Sequence, residues 1–343
     1  MKKRISIILA VVMALLCLAA CGQNKSKYSS KNDKIKVVTT IFPEYDWVRE
    51  IAGENSNVDI TMLLDNGVDL HSYQPTAEDI MKISSCDMFI YVGGESDEWV
   101  EDALKESVNK NMKVINLMDV LKDTVKTEEA MPGMQSEEMD NWPTYYTAGM
   151  TSNEIKEDML EHEEKEYDEH VWLSLRNAEK LCDAIADSLC DIDSENKNVY
   201  STNAAVYKNK LKELDDQYQD VVKNSTNKTL LFGDRFPFRY MVDDYGLKYY
   251  AAFAGCSAES EASFETISFL AKKVDELGLK NVMTIEKSDK KIANTIISNT
   301  KNKNQKIFEL NSLQSTTSKD VKNGVTYLSV MKSNLNVLKD ALQ

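Results

Sequence analysis

The sequence predicts an α/β protein made of two similar α/β lobes with parallel sheets, joined by one long rigid helix. Three observations predict this class. Short β-branched runs alternate with helical segments before Thr127 and again after residue 228, and that alternation implies βαβ units and parallel sheets. Between the two regions, Tyr207, Leu211, Leu214, Tyr218 and Val221 recur at steps of four, three, four and three, which marks one face of a helix. The length of 343 residues also exceeds what one core usually supports, about 250–300 residues.

Met1-Lys2-Lys3-Arg4 is a basic opening, and the apolar run of 14 residues from Ile5 to Leu18 follows it. A bilayer-spanning helix needs about 20 apolar residues, so this run reads as the core of an export signal. Leu18-Ala19-Ala20-Cys21, followed by Gly22, resembles a bacterial lipobox. The resemblance implies that residues 1–20 are a lipoprotein signal peptide. Cys21 would become the lipid-bearing N-terminus, anchoring the mature chain to the cell membrane on its extracytoplasmic side. Residues 21–34 are rich in Ser, Asn and Lys and read as a flexible tether.

The N-terminal lobe is expected over 35–190. Its strands are 35–42 (stopped by Pro43), 58–64, 88–92 (ending at Gly93-Gly94) and 114–117, with a helix over about 45–52. Residues 127–169 break this rhythm. They hold Pro132, Gly133, Pro143, Gly149, five Met and many acids, and read as a mobile acidic insertion. A helix over 173–189 completes the lobe. The linking helix is expected over 194–223, a span of about 40 Å. The C-terminal lobe, 228–343, alternates strands at 229–232, 249–253, 282–285 and 307–310 with helices at 264–277, 290–300 and 324–342. No sequence repeat relates the two lobes.

Lys+Arg total 41 against 56 Asp+Glu, a formal charge of −15. Excising residues 1–20 removes three basic residues and no acid, which takes the charge to −18. Such a balance argues against nucleic acid, whose phosphates need clustered Lys and Arg. It is compatible with cations. Cys86, Cys182, Cys190 and Cys256 match no compact zinc spacing, and read as buried free thiols or as one long-range bridge. Histidine-based chemistry has only three sites: His71, His162 and His170.

His71 lies in Asp69-Leu70-His71-Ser72-Tyr73-Gln74-Pro75-Thr76, just after the second strand. His170 lies in Asp168-Glu169-His170-Val171-Trp172, where the insertion ends and a helix opens. Both loops fall where open α/β sheets bind ligands, and a carboxylate next to a metal-binding imidazole commonly orients it. These segments, with Tyr327-Leu328-Ser329-Val330-Met331-Lys332-Ser333-Asn334-Leu335 near the C-terminus, resemble the solute-binding lipoproteins of zinc and manganese ABC importers, the helix-linked cluster A-I type. The likeness runs from about Lys34 to the end. Leu70 and Glu169 stand where that family usually has proline, and Ser174-Leu175 replaces a frequent Asp-Pro.

The resemblance implies a monomeric receptor that clamps one divalent ion between its lobes and delivers it to a membrane permease driven by an ATPase. It implies His71 and His170 as ligands from the first lobe. In the second lobe, Arg235 aligns with the position where the family commonly has histidine, and a guanidinium cannot bind a cation. Asp234 could supply an oxygen there, with Arg235 orienting Asp234 or another carboxylate. The alternative is a turn with no metal role. After the penultimate strand the resemblance implies a carboxylate ligand, Asp289 or Glu286. Asp69 reads as a loop or supporting residue. His162, in an acidic run, is either an accessory capture residue or part of a solvated charge run. Two imidazoles with carboxylates suit zinc first and manganese second. Two other readings use the same residues: a zinc hydrolase with Glu286 as general base, and a surface adhesin.

Overall fold

The computed structural model describes residues 34–53, 57–135, 166–257 and 261–343. The signal peptide, the tether, Cys21, His162 and most of the insertion lie outside the described residues.

Strands β1 (Ile35–Thr39), β2 (Val58–Met62), β3 (Met88–Tyr91) and β4 (Lys113–Asn116) form a parallel sheet in the order β2-β1-β3-β4. Strands β5 (Thr229–Arg235), β6 (Lys248–Phe253), β7 (Asn281–Ile285) and β8 (Lys306–Leu310) form a second in the order β6-β5-β7-β8. Each sheet therefore reverses its winding beside its first strand. A crevice opens at that reversal, at the carboxyl ends of the strands.

β1 ends earlier than the apolar run suggests. Glu44 Oε2 accepts from the backbone N–H groups of Thr40 at 2.8 Å and Ile41 at 3.2 Å. The chain curls there into helix α1 (Phe42–Ala52), with Pro43 in its first turn, where the missing N–H costs nothing. Short helices unread in the sequence fill the connections: α2 (Ala77–Ser85), α3 (Trp99–Lys105), α4 (Leu117–Leu121), α7 (Arg239–Tyr245) and α10 (Ser318–Lys322). α2 carries a reciprocal capping box between Thr76 and Asp79.

Helix α5 (Leu175–Ile192) leads through a 3-10 turn to α6 (Lys197–Asn224). At 28 residues, α6 is about 42 Å long. Its buried face is Tyr200, Ala204, Tyr207, Leu211, Leu214, Tyr218 and Val222. Val222 rather than Val221 closes that stripe. α6 packs on α5, on α1 and on the C-terminal α11 (Tyr327–Ala341). Helices α8 (Phe264–Leu277) and α9 (Lys291–Ser298) cover the second sheet with their own apolar cluster. The larger core runs without a break from Val37 and Phe89 in the first lobe to Phe232 and Met283 in the second. No helix of the described residues is long and apolar enough to cross a membrane.

Polar bonds between segments at the lobe junction are short and buried. Trp172 Nε1 donates to Ser312 O at 2.8 Å, and Tyr327 Oη donates to Trp172 O at 2.7 Å. Tyr218 Oη donates to Met331 O at 2.6 Å. Replacing Tyr327 by Phe leaves a buried carbonyl without its donor, an expected loss of about 1–3 kcal/mol. Urea unfolding of the metal-free protein measures it, and an unchanged midpoint would contradict the role given to this bond.

Candidate metal centre

His71 sits in a 3-10 turn, Leu70–Ser72, capped by Asp69, whose Oδ1 accepts from the His71 backbone N–H at 3.1 Å. Its Nδ1 lies 2.8 Å from Ser96 Oγ. Ser96 is held in turn by Glu169, whose Oε1 accepts from the Ser96 backbone N–H at 2.9 Å. Glu169 Oε2 lies 3.4 Å from His71 Nδ1. The carboxylate that replaces the expected proline thus supports the ligand loop. Gly94 permits this approach: at φ +82° it takes a conformation that suits glycine, and a Cβ there would meet Glu169 Oε1 at 2.4 Å.

His170 is fully buried. Its Nδ1 lies 2.9 Å from Asp168 Oδ1, which also accepts the His170 backbone N–H at 2.9 Å. An ionised carboxylate only accepts, so Nδ1 carries the hydrogen and Nε2 is left to face the site. Tyr240 of the second lobe fixes this segment from behind, its Oη donating to Asp168 O at 2.7 Å.

The two Nε2 atoms face each other at 3.2 Å. A tetrahedral zinc with nitrogens at about 2.0–2.1 Å holds them roughly 3.3 Å apart. The separation matches one shared ion. Without one, two lone pairs at this distance repel unless a proton lies between them.

The titration of the pair shows the same constraint. Burial lowers His71 to about 3, and the neighbouring His170 charge pushes the same way. Burial also disfavours charge on His170, but Asp168 outweighs it and raises that imidazole above its ordinary value. A proton on the pair is therefore favoured on His170 over His71. Burial likewise works against Asp69, but Arg235 and His71 hold its carboxyl below the usual range.

The second-lobe carboxylates lie apart from the two histidines. Among the described residues, one group of possible ligands converges, His71, His170 and Cys256, with donor atoms all within 4.8 Å of one another. Asp234, Glu286 and Asp289 stand outside it. Asp234 faces backbone, accepting from Arg235 N at 2.9 Å and Ile285 N at 3.4 Å. Glu286 accepts from Ser312 N at 2.7 Å, Ser312 Oγ at 2.8 Å and Ser315 Oγ at 3.1 Å. Both of its oxygens are thus engaged by donors of the loop after β8. Asp289 is exposed and lies 2.5 Å from Lys291 Nζ. These three carboxylates share a cleft of about 450 Å³ with Asp69, Arg235 and Gln314, which neither histidine lines.

Arg235 does orient a carboxylate, but across the lobes: its Nη2 donates to Asp69 Oδ2 at 2.7 Å. Gln314, unremarked in the sequence, joins them from the loop after β8. With its amide nitrogen toward Asp69 it donates to Oδ2 at 2.9 Å and Oδ1 at 3.1 Å, and its oxygen accepts from His170 Nε2 at 2.6 Å. Glu286 acts through this loop, since it holds Ser312 and Ser315 on either side of Gln314.

Cys256 follows β6 and is a free thiol, as are Cys86, Cys182 and Cys190, so no disulfide forms among them. Burial pushes its thiol up, reinforced by Glu128. Gly255 lets this loop rest on the imidazole; a Cβ there would lie 3.0 Å from His170 Cε1. A vestibule of about 220 Å³ reaches the centre here, lined by His71, Cys256 and the carboxylates of Glu95, Glu128, Glu166 and Glu169. Such a lining favours entry of a cation.

Comparison with known proteins agrees with this architecture. Residues 37–341 match the family described as ZnuA: Zinc-uptake complex component A periplasmic. Zinc-binding lipoprotein AdcA of Streptococcus pneumoniae is 32% identical over 338 residues, 98% of this chain and 60% of the relative. The chain thus spans three-fifths of that longer protein. High-affinity zinc uptake system protein ZnuA of Bacillus subtilis is 30% identical, covering 100% of this chain and 99% of the relative. The crystal structure of the Zn(II)-bound ZnuA-like domain of Streptococcus pneumoniae AdcA superposes with a TM-score of 0.66 at 28% identity, over 90% of this chain and 99% of that one. The chain belongs to the ZnuA family.

Proposed function

We propose that this chain is an extracytoplasmic zinc receptor. It captures Zn²⁺ between its two lobes and passes it to the permease and ATPase of an ABC importer. One observation carries the reading: a buried and a half-buried imidazole, each with Nδ1 engaged by Ser96 or Asp168, present their Nε2 atoms 3.2 Å apart, the bite of a single ion. The zinc-binding names of the relatives support the same cargo. Nitrogen ligands favour zinc over manganese, the second possible cargo, by the Irving–Williams order. The protein works as a monomer, with a lipid on Cys21 keeping it at the membrane beside the importer. His162 in the acidic insertion assists capture.

Replacing His71 and His170 together by Ala is expected to lower zinc affinity at least about 100-fold, since even residues that only orient a ligand are worth 10–100-fold. Chelator competition measures this, and tight binding by the double variant would sink the reading. In a strain lacking the protein, the wild-type chain restores growth in zinc-depleted medium and the double variant does not.

Metal must displace the proton that His170 carries below its raised pKa. Zinc affinity therefore weakens as the pH falls, and the decline steepens by one proton per ion below the raised His170 pKa. The onset lies above the ordinary imidazole value of about 6.5. Asp168→Asn removes the group that raises it, so the onset moves to lower pH. Isothermal titration across pH 5–8 reads both effects, and an onset unmoved by Asp168→Asn would contradict the assignment.

A further inference from the structure

We propose that Cys256 is the metal ligand supplied by the second lobe, and that its thiolate makes the centre select zinc-like, thiophilic ions against manganese. The inference rests on the zinc-receptor reading above and deepens it.

Several independent features of the second lobe converge on this sulfur. It lies within 4.8 Å of the donor nitrogens of both histidines. A tetrahedral zinc would hold nitrogen and sulfur roughly 3.6 Å apart, so a shift of about 1 Å completes the bond. The loop is built to hold it there. Gly255 seats its backbone against the His170 ring, and the Cys256 backbone N–H donates to Glu128 Oε1 at 3.0 Å. The sulfur is bound in no disulfide, and Cys256 lines the acidic vestibule together with His71, on the path of an arriving cation.

The charged second-lobe groups singled out in the sequence are committed elsewhere, and Gln314, whose oxygen reaches His170 Nε2, is a neutral amide. Arg235, aligned with the family's histidine, carries a fixed positive charge and is paired with Asp69. Asp234 and Glu286 are bonded to backbone and hydroxyl donors, and Asp289 is paired with Lys291 at the surface. Binding forms a sulfur–metal bond and breaks the S–H bond, the proton leaving to solvent. Thiolate and imidazole ligands suit zinc, whereas manganese prefers oxygen.

Cobalt titration of the full mature chain tests this. A thiolate bound to Co²⁺ gives a charge-transfer band in the near ultraviolet, expected in the wild type and absent in Cys256→Ser. Chelator competition should show zinc affinity falling about 100-fold in Cys256→Ser, with manganese affinity changed by less than about 3-fold. The wild-type spectrum needs no variant to fold, and circular dichroism checks that the serine protein does. Cobalt bound by the wild type without the band, together with unchanged zinc affinity in Cys256→Ser, would overturn the proposal. His71→Ala with His170→Ala separates the two levels. If that double variant loses cobalt while Cys256→Ser keeps full affinity, the receptor stands and the thiolate ligand falls. If the double variant keeps it, the receptor reading falls as well.

Discussion

Two imidazole nitrogens 3.2 Å apart inside a protein cannot be left alone. Both rings are short of water, and each keeps its Nδ1 engaged, by Ser96 or by Asp168. The facing Nε2 atoms then need a shared cation, either a proton or a metal. Much of the surrounding structure holds them in that position. Ser96, Glu169, Asp168 and the capped turn at Asp69 belong to the first lobe. Tyr240, Gly255 and Gln314 press in from the second. The unbroken core and the long α6 keep the lobes in register, because an error of 1 Å would spoil the bite.

The second-lobe residues singled out in the sequence, Arg235 and Glu286, bear on the centre through other groups. Arg235 would repel a dication if its charge were uncompensated. Asp69 compensates it at 2.7 Å, while its other oxygen caps the turn that presents His71. The guanidinium therefore acts on the metal loop through a carboxylate. Its ion pair is partly buried, so screening is weaker than at an open surface. Glu286 acts at one further remove. It fixes Ser312, whose carbonyl receives Trp172 Nε1, and it fixes the loop that delivers Gln314.

The sheets, the long helix and both histidine loops were legible in the sequence because each leaves a local pattern. β-branched runs, a repeating apolar step and two motifs with a carboxylate beside a histidine need no knowledge of distant residues. The acceptor duties of Asp234 and Glu286 leave no such pattern. Their partners are backbone groups on another strand or loop, and only the folded register brings those near. Cys256 was invisible for a related reason, since its two companions lie 185 and 86 residues away and no spacing rule links them. The capping box of α2 was readable at Thr76 and Asp79, but α2 is short and its helical period too brief to stand out.

Charge explains how so buried a centre can accept a dication. Burying bare charge is costly unless it is paired or exchanged for charge already present. Below the raised His170 pKa the centre without its ion holds one positive charge, the proton that Asp168 favours on that imidazole. When Zn²⁺ arrives, that proton leaves, and the net change falls from two charges to one. Loss of the Cys256 proton brings it to zero. Capture then exchanges two protons for one ion, and the Asp69–Arg235 pair and the carboxylates of the vestibule need not rearrange. The cost of desolvating the ion is met by ligand bonds rather than by a change in the field of the site, so a centre within the field of an arginine can still hold a cation.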